Sequence, residues 1–239
     1  MQGIETLLFD FGGTLDSDGV PWKERFHALY RAEGLDMSAE AFAAAFYAAD
    51  DALAGALAPT TGLKETVGLL AANLEAKLAR RDARTSQEAG DVARGQRVAS
   101  RFLSQMSVAF ARNRPVLEAL GERYRLGVVS NFYGNLEAVC ESSGLGPLFG
   151  VMTDSQRVGA EKPEPAIFHA ALRALQALPE TTVMIGDSLR RDYEGARRSG
   201  MRFIWVAPED IQAAEGDGAA HRSVLASVAE LPDLLDILT

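Results

Sequence analysis

The chain has 239 residues, 47% of them hydrophobic and 24% charged, a balance that fits a globular protein able to bury its own core and excludes a disordered one. Its formal net charge of −9 argues against nucleic-acid and anionic-membrane partners, which are held by cationic patches. No stretch reaches the ~18 apolar residues of a membrane span, no signal-peptide pattern precedes the first strand-like run, and the lone Cys140 excludes an intramolecular disulfide, so a cytoplasmic protein is expected.

Thr6 to Asp10 is an apolar run ending on a carboxylate, the pattern of a strand buried on both faces of a parallel sheet. From about Pro21 to Arg112 the sequence becomes rich in Ala, Leu, Glu, Gln and Arg, with apolar positions at helical spacing, as in Phe26, Leu29 and Tyr30 or Leu69, Leu70, Leu74 and Leu78. Basic residues are frequent towards its end (Lys77, Arg80, Arg81, Arg84, Arg94, Arg97, Arg101, Arg112, Arg114), against Asp82, Glu88 and Asp91. Solvated helix faces account for them, with attraction of an anionic substrate towards a cleft as the alternative.

After Arg114-Pro115, short apolar strands at Leu126 to Ser130, Phe149 to Thr153, Thr182 to Asp187 and Phe203 to Val206 alternate with helical segments. These lie near Val116 to Arg123, Leu136 to Ser142, Pro165 to Leu175 and Leu189 to Ser199, and Glu230 to Leu238 reads as a closing helix. Repeated strand–helix units imply parallel strands joined by right-handed crossovers. The predicted fold is α/β: a doubly wound parallel-sheet, Rossmann-like core from residues 1–16 and 113–239. An all-helical domain, residues 17–112, is inserted after the first strand.

Ligands in such sheets bind beyond the carboxyl ends of the strands. Asp10 stands there in Phe9-Asp-Phe-Gly-Gly-Thr-Leu15, Ser130 in Val-Val-Ser-Asn131, and Asp187 with Asp192 in Ile185-Gly-Asp-Ser-Leu-Arg-Arg-Asp192; Lys162 in Glu161-Lys-Pro163 adds a cation. Carboxylates converging from two strands repel one another and are costly to desolvate unless a divalent cation, most simply magnesium, neutralises them. The set describes phosphate chemistry.

On these residues the sequence resembles the haloacid dehalogenase-like hydrolase superfamily, phosphatase type, with an α-helical cap after the first strand. The matching segments are Asp10 to Thr14, Ser130-Asn131, Lys162-Pro163 followed by Ile167-Phe168, and Gly186-Asp187-Ser188 with Asp192, then Gly195-Ala196 and Gly200-Met201. The resemblance implies that Asp10 is a nucleophile forming an aspartyl-phosphate, with Ser130 and Lys162 as its catalytic partners. It implies a magnesium ion held by Asp10, the Gly12 carbonyl, Asp187 and Asp192, with Gly13, Thr14 and Asn131 around the phosphoryl group of a small phosphorylated metabolite.

The chain departs from that pattern at Gly12, where most phosphatases of the family carry a second aspartate that protonates the leaving group and then activates water. Loss of a general acid/base typically costs ~10²–10⁴-fold. Asp16 and Asp18 lie just downstream as candidate substitutes, although turn formation beside Ser17 and Gly19 is the simpler account of them.

Competing functions are a non-catalytic phosphate-binding scaffold, a 2-haloacid dehalogenase, which lacks the metal-binding aspartates, and a phosphonate hydrolase, which needs a Schiff-base lysine such as Lys23, Lys64 or Lys77. Asp10-Phe11-Gly12 matches the kinase magnesium tripeptide, but too few residues precede it for a nucleotide lobe. Gly144-Leu-Gly146 lacks the third glycine of a dinucleotide loop, and His27, His169 and His221 are too scattered for a zinc site. No motif in the helical insertion specifies the substrate.

Overall fold

The computed structural model describes residues 3–81, 91–215 and 224–238. Among them six parallel strands form one sheet: β1 (Thr6–Phe9), β2 (Arg125–Ser130), β3 (Val151–Asp154), β4 (Thr182–Gly186), β5 (Arg202–Val206) and β6 (Ala226–Val228), in the order β3-β2-β1-β4-β5-β6. Between β1 and β2 lie α1 (Trp22–Ala32), α2 (Ala39–Asp50), α3 (Leu63–Arg81) and α4 (Val92–Gly121). Then α5 (Leu136–Ser142) follows β2, α6 (Ser155–Val158) and α7 (Pro165–Leu175) follow β3, α8 (Glu194–Arg198) follows β4, α9 (Glu209–Glu215) follows β5, and α10 (Leu234–Leu238) follows β6.

The strands read as apolar runs because both faces of the sheet are covered. Alternate residues divide between two cores. Leu7, Phe9, Val128, Val183, Ile185, Ile204 and Val206 belong to one, and Leu8, Val129, Met184, Phe203 and Trp205 join Ile167, Phe168 and Leu172 of α7 in the other. The first core does not stop at the sheet: through Phe11, Phe110 and Phe132 it continues into the helical block, where Phe26, Phe42, Phe46, Leu70, Leu74 and Phe102 are buried.

Central β1 pairs on both sides in matching register, Phe9 with Val128 of β2 and with Ile185 of β4. The chain therefore leaves all three strands at one edge of the sheet. Connections run outward from β1 through β2 to β3, then return to β4 on the other side, so a crevice opens there at the change of winding direction.

The short helices α6 and α9 were not anticipated from the sequence, and two further elements differ from that reading. The helix expected at Val116 to Arg123 is the last part of α4, which runs unbroken through Pro115. Proline removes an N–H and crowds the preceding turn, but Val116, Leu117 and Leu120 are buried beyond it and Asn113 Nδ2 donates to the Leu15 carbonyl at 3.0 Å. Strand β6 was not anticipated, since Ala-Ser-Val is too short and polar to stand out; it is fixed by pairing with β5.

Candidate active site

Beyond β1 the chain makes an irregular turn, Phe11–Leu15, that brings Asp10 against the ends of β2 and β4. Asp10 is 8% exposed. Its Oδ1 accepts from the Phe11 N–H at 2.7 Å and the Ser130 hydroxyl at 2.9 Å, and lies 2.7 Å from Lys162 Nζ. The same ammonium is 2.7 Å from Asp192 Oδ1. One carboxylate oxygen each from Asp10, Asp187 and Asp192 fall within 4.8 Å of one another. Residues far apart in sequence thus meet at one point, with one ammonium facing three carboxylates.

The backbone is cut to allow this approach. Gly13 sits at φ +94°, and a Cβ there would stand 2.5 Å from Asp187 Oδ2; a Cβ on Gly186 would stand 2.4 Å from Asp192 Oδ2. The Thr14 hydroxyl is directed to Asp187 Oδ1 at 3.4 Å, and the Trp205 indole donates to the Asp187 carbonyl at 2.9 Å. Asn131 grips the lysine loop, its Oδ1 accepting from the Lys162 N–H at 2.7 Å and its Nδ2 donating to the Lys162 carbonyl at 3.2 Å. Both polar ends of that side chain are spent on positioning Lys162.

A cavity of about 610 Å³ opens over these groups. Asp10, Gly12, Ser130, Asn131, Lys162 and Asp187 line its floor, whereas Gly13, Thr14 and Asp192 lie beneath the lining. Its walls include Lys23, one of the lysines considered from the sequence, and residues that the sequence reading missed: Trp22 at the start of α1, Asp50 at the end of α2, Tyr133 after β2, and Arg190 and Arg191 after β4. Tyr133 donates a short hydrogen bond to Asp50, joining the helical block to the sheet across the cavity.

A family model described as haloacid dehalogenase-like hydrolase matches residues 4–200. The chain belongs to that family. Haloacid dehalogenase-like hydrolase domain-containing protein 3 of Bos taurus is 41% identical over 115 residues, 48% of this chain and 46% of that protein. Glyceraldehyde 3-phosphate phosphatase of Methanothermobacter thermautotrophicus is 30% identical over 151 residues, 58% of this chain and 66% of that protein. The chain thus spans about half the length of the first of these relatives. A solved phosphatase of the family from Thermococcus onnurineus shares the fold at a TM-score of 0.56 and 23% identity, with 98% of each chain covered.

The electrostatics suit a hydrolase of this family that uses a cation. Desolvation, with the charges of Asp10 and Asp192 alongside, lifts the Asp187 carboxyl well above the ordinary range. Burial, only partly offset by Lys162, raises Asp192 to about 6. Burial also works against the Lys162 ammonium, but Asp10 and Asp192 outweigh it and hold the lysine protonated. One ammonium is too little charge for three carboxylates, and an all-oxygen donor set fits a hard divalent ion.

Asp16 and Asp18 do not reach the cavity. Buried Asp16 accepts from the Gly13 N–H at 2.7 Å, from Trp22 Nε1 at 2.7 Å and from Arg25 Nη1 at 2.8 Å, while Asp18 pairs with Arg112. Several members of the basic stretch are paired likewise. Arg94 binds Glu75, Arg97 and Arg101 bind Glu33, and Arg114 binds Glu118. No member of it whose side chain is described lines the cavity. Arg84 and His221 lie outside the described residues. No helix among those described is long and apolar enough to cross a membrane.

Proposed function

We propose that this hydrolase is a magnesium-dependent phosphatase acting on a small phosphorylated metabolite, with residues 17–112 as its cap. The observation that carries the reading is the shared lysine: Lys162 Nζ lies 2.7 Å from both Asp10 and Asp192, beside a third carboxylate. The partial match to a glyceraldehyde 3-phosphate phosphatase agrees with it.

Asp10, the Gly12 carbonyl, Asp187 and Asp192 would hold the ion. Bound there, magnesium supplies positive charge against the carboxylates and the phosphoryl oxygens. Asp10 acts as nucleophile, attacking phosphorus to give an aspartyl-phosphate. Ser130, at 2.9 Å, and Lys162 orient the attacking carboxylate and stabilise charge on the transferring group. Asn131 fixes Lys162, while Gly13 and Thr14 set the turn that keeps Asp187 close.

A phosphonate hydrolase is disfavoured by Lys23, the lysine in the cavity wall. Burial alone would lower its pKa, but Glu24 at 3.0 Å and Tyr47 outweigh it, so the ammonium is held rather than released as a Schiff-base amine.

Hydrolysis of p-nitrophenyl phosphate tests the reading. Activity is expected with magnesium, loss with EDTA, and recovery when the ion is returned. Asp10→Asn should lower turnover by at least ~10³-fold with an unchanged circular dichroism spectrum. Full activity in metal-free buffer, or near-wild-type turnover by Asp10→Asn, would overturn it.

A further inference from the structure

The place beside the nucleophile that a side chain at position 12 would occupy is already filled. Gly12 has φ −79° and ψ 118°, a conformation open to any residue. Space, not backbone, excludes a side chain: a Cβ would stand 3.1 Å from Trp22 Nε1 and 3.3 Å from Cδ1. The indole is fixed at its N–H and against two aromatic rings. Its N–H is bonded to Asp16, which Arg25 and the Gly13 N–H hold in turn, and its ring packs edge-on against Phe102 and Phe132 at centroid distances of 5.3 and 6.1 Å. Trp22 is 9% exposed and faces the cavity.

No other group on the floor is set to protonate a departing oxygen. Lys162 is committed between Asp10 and Asp192, and Asp187 belongs to the carboxylate cluster. Of the wall carboxylates, Glu24 pairs with Lys23 and Asp50 takes the Tyr133 hydroxyl.

Building on the phosphatase reading, we infer that this site selects substrates whose leaving group departs as a stable anion, above all acyl phosphates, with Trp22 as the specificity-determining wall in place of a general acid. In the first step the Asp10 carboxylate bonds to phosphorus, the bridging P–O bond breaks, and its electron pair leaves on a carboxylate that needs no proton. In the second, water attacks the aspartyl-phosphate, the Asp10–phosphorus bond breaks with its electron pair returning to the Asp10 carboxylate, and both water protons end on the released phosphate. The sum is acyl phosphate plus water giving carboxylate plus dihydrogen phosphate. With no base at position 12 to activate that water, the phosphoenzyme should persist.

The experiment compares kcat/KM in magnesium for acetyl phosphate, p-nitrophenyl phosphate, phenyl phosphate and glycerol phosphate, with intact mass of quenched samples to detect the phosphoenzyme. A fall of at least ~10³-fold from acetyl to glycerol phosphate is expected, with a phosphoryl adduct on wild type that Asp10→Asn lacks. Gly12→Asp combined with Trp22→Ala should raise turnover of glycerol phosphate more than that of acetyl phosphate. Rates for the two substrates within about tenfold in wild type would overturn the inference. So would an Asp50→Asn variant that loses glycerol phosphate turnover but keeps that of acetyl phosphate, since the cap would then supply the proton. No turnover of any of the four, with no adduct, would instead remove the phosphatase reading on which this rests.

Discussion

Asp10, Ser130, Lys162, Asp187 and Asp192, which the fold brings together, were legible in the sequence because polar and charged residues at the ends of apolar strand runs stand out, and that signal is local. Trp22, Asp50 and Tyr133 were not. Each reaches the cavity from an element whose orientation depends on packing, and Trp22 in isolation reads as one more apolar position at a helix start. Asp50 also carries a measurable cost. Burial raises its pKa, with Asp51 adding and Tyr133 and Arg191 opposing. A carboxyl with a raised folded pKa contributes stability that is present below its unfolded pKa and lost as pH rises through the folded one. Asp50→Asn retains an acceptor for Tyr133 and cannot ionise. Thermal melts should place the variant level with wild type near about pH 4 and above it near about pH 8. A lower melting temperature than wild type at the higher pH would mean that the ionised carboxylate is stabilising.

At the scale of elements, alternating strand and helix patterns located β1 to β5 to within a residue or two at most ends, because strands buried on both faces leave long apolar runs. The same logic failed for β6, whose pairing with β5 is decided by the sheet edge rather than by its own three residues. It also failed at Pro115, where a proline that usually marks a boundary lies within α4. Exposed on the helix surface, Pro115 is tolerated because buried neighbours hold the helix around it. Pro115→Ala restores a donor to the Ala111 carbonyl. It should stabilise the fold by roughly 1–2 kcal/mol once the greater freedom of the unfolded chain is subtracted. Denaturant unfolding checks this, and a destabilised variant would mean that the ring itself makes a needed contact.

For the whole molecule, the core that continues from the sheet into the helical block has a thermodynamic consequence. Phe11 lies 6.0 Å from Phe110 and 5.7 Å from Phe132, and Trp22 stacks edge-on against both Phe102 and Phe132. Neither part can lose its structure without exposing aromatic surface of the other. Calorimetry should therefore give one transition, with van't Hoff and calorimetric enthalpies in agreement, whereas two resolved transitions would separate the helical block as an independent unit. The central position of β1 acts on a different timescale. During synthesis it is the earliest strand of the sheet to be made, yet both strands that flank it come much later, β2 beginning at Arg125 and β4 at Thr182. Asp10, the nucleophile of the proposed reaction, thus waits on an unpaired apolar run until nearly the whole sheet has been translated. An interrupted chain carries no weaker version of the site, only an aspartate without neighbours, so a ribosome that stalls before Thr182 releases a product needing disposal rather than one with partial activity.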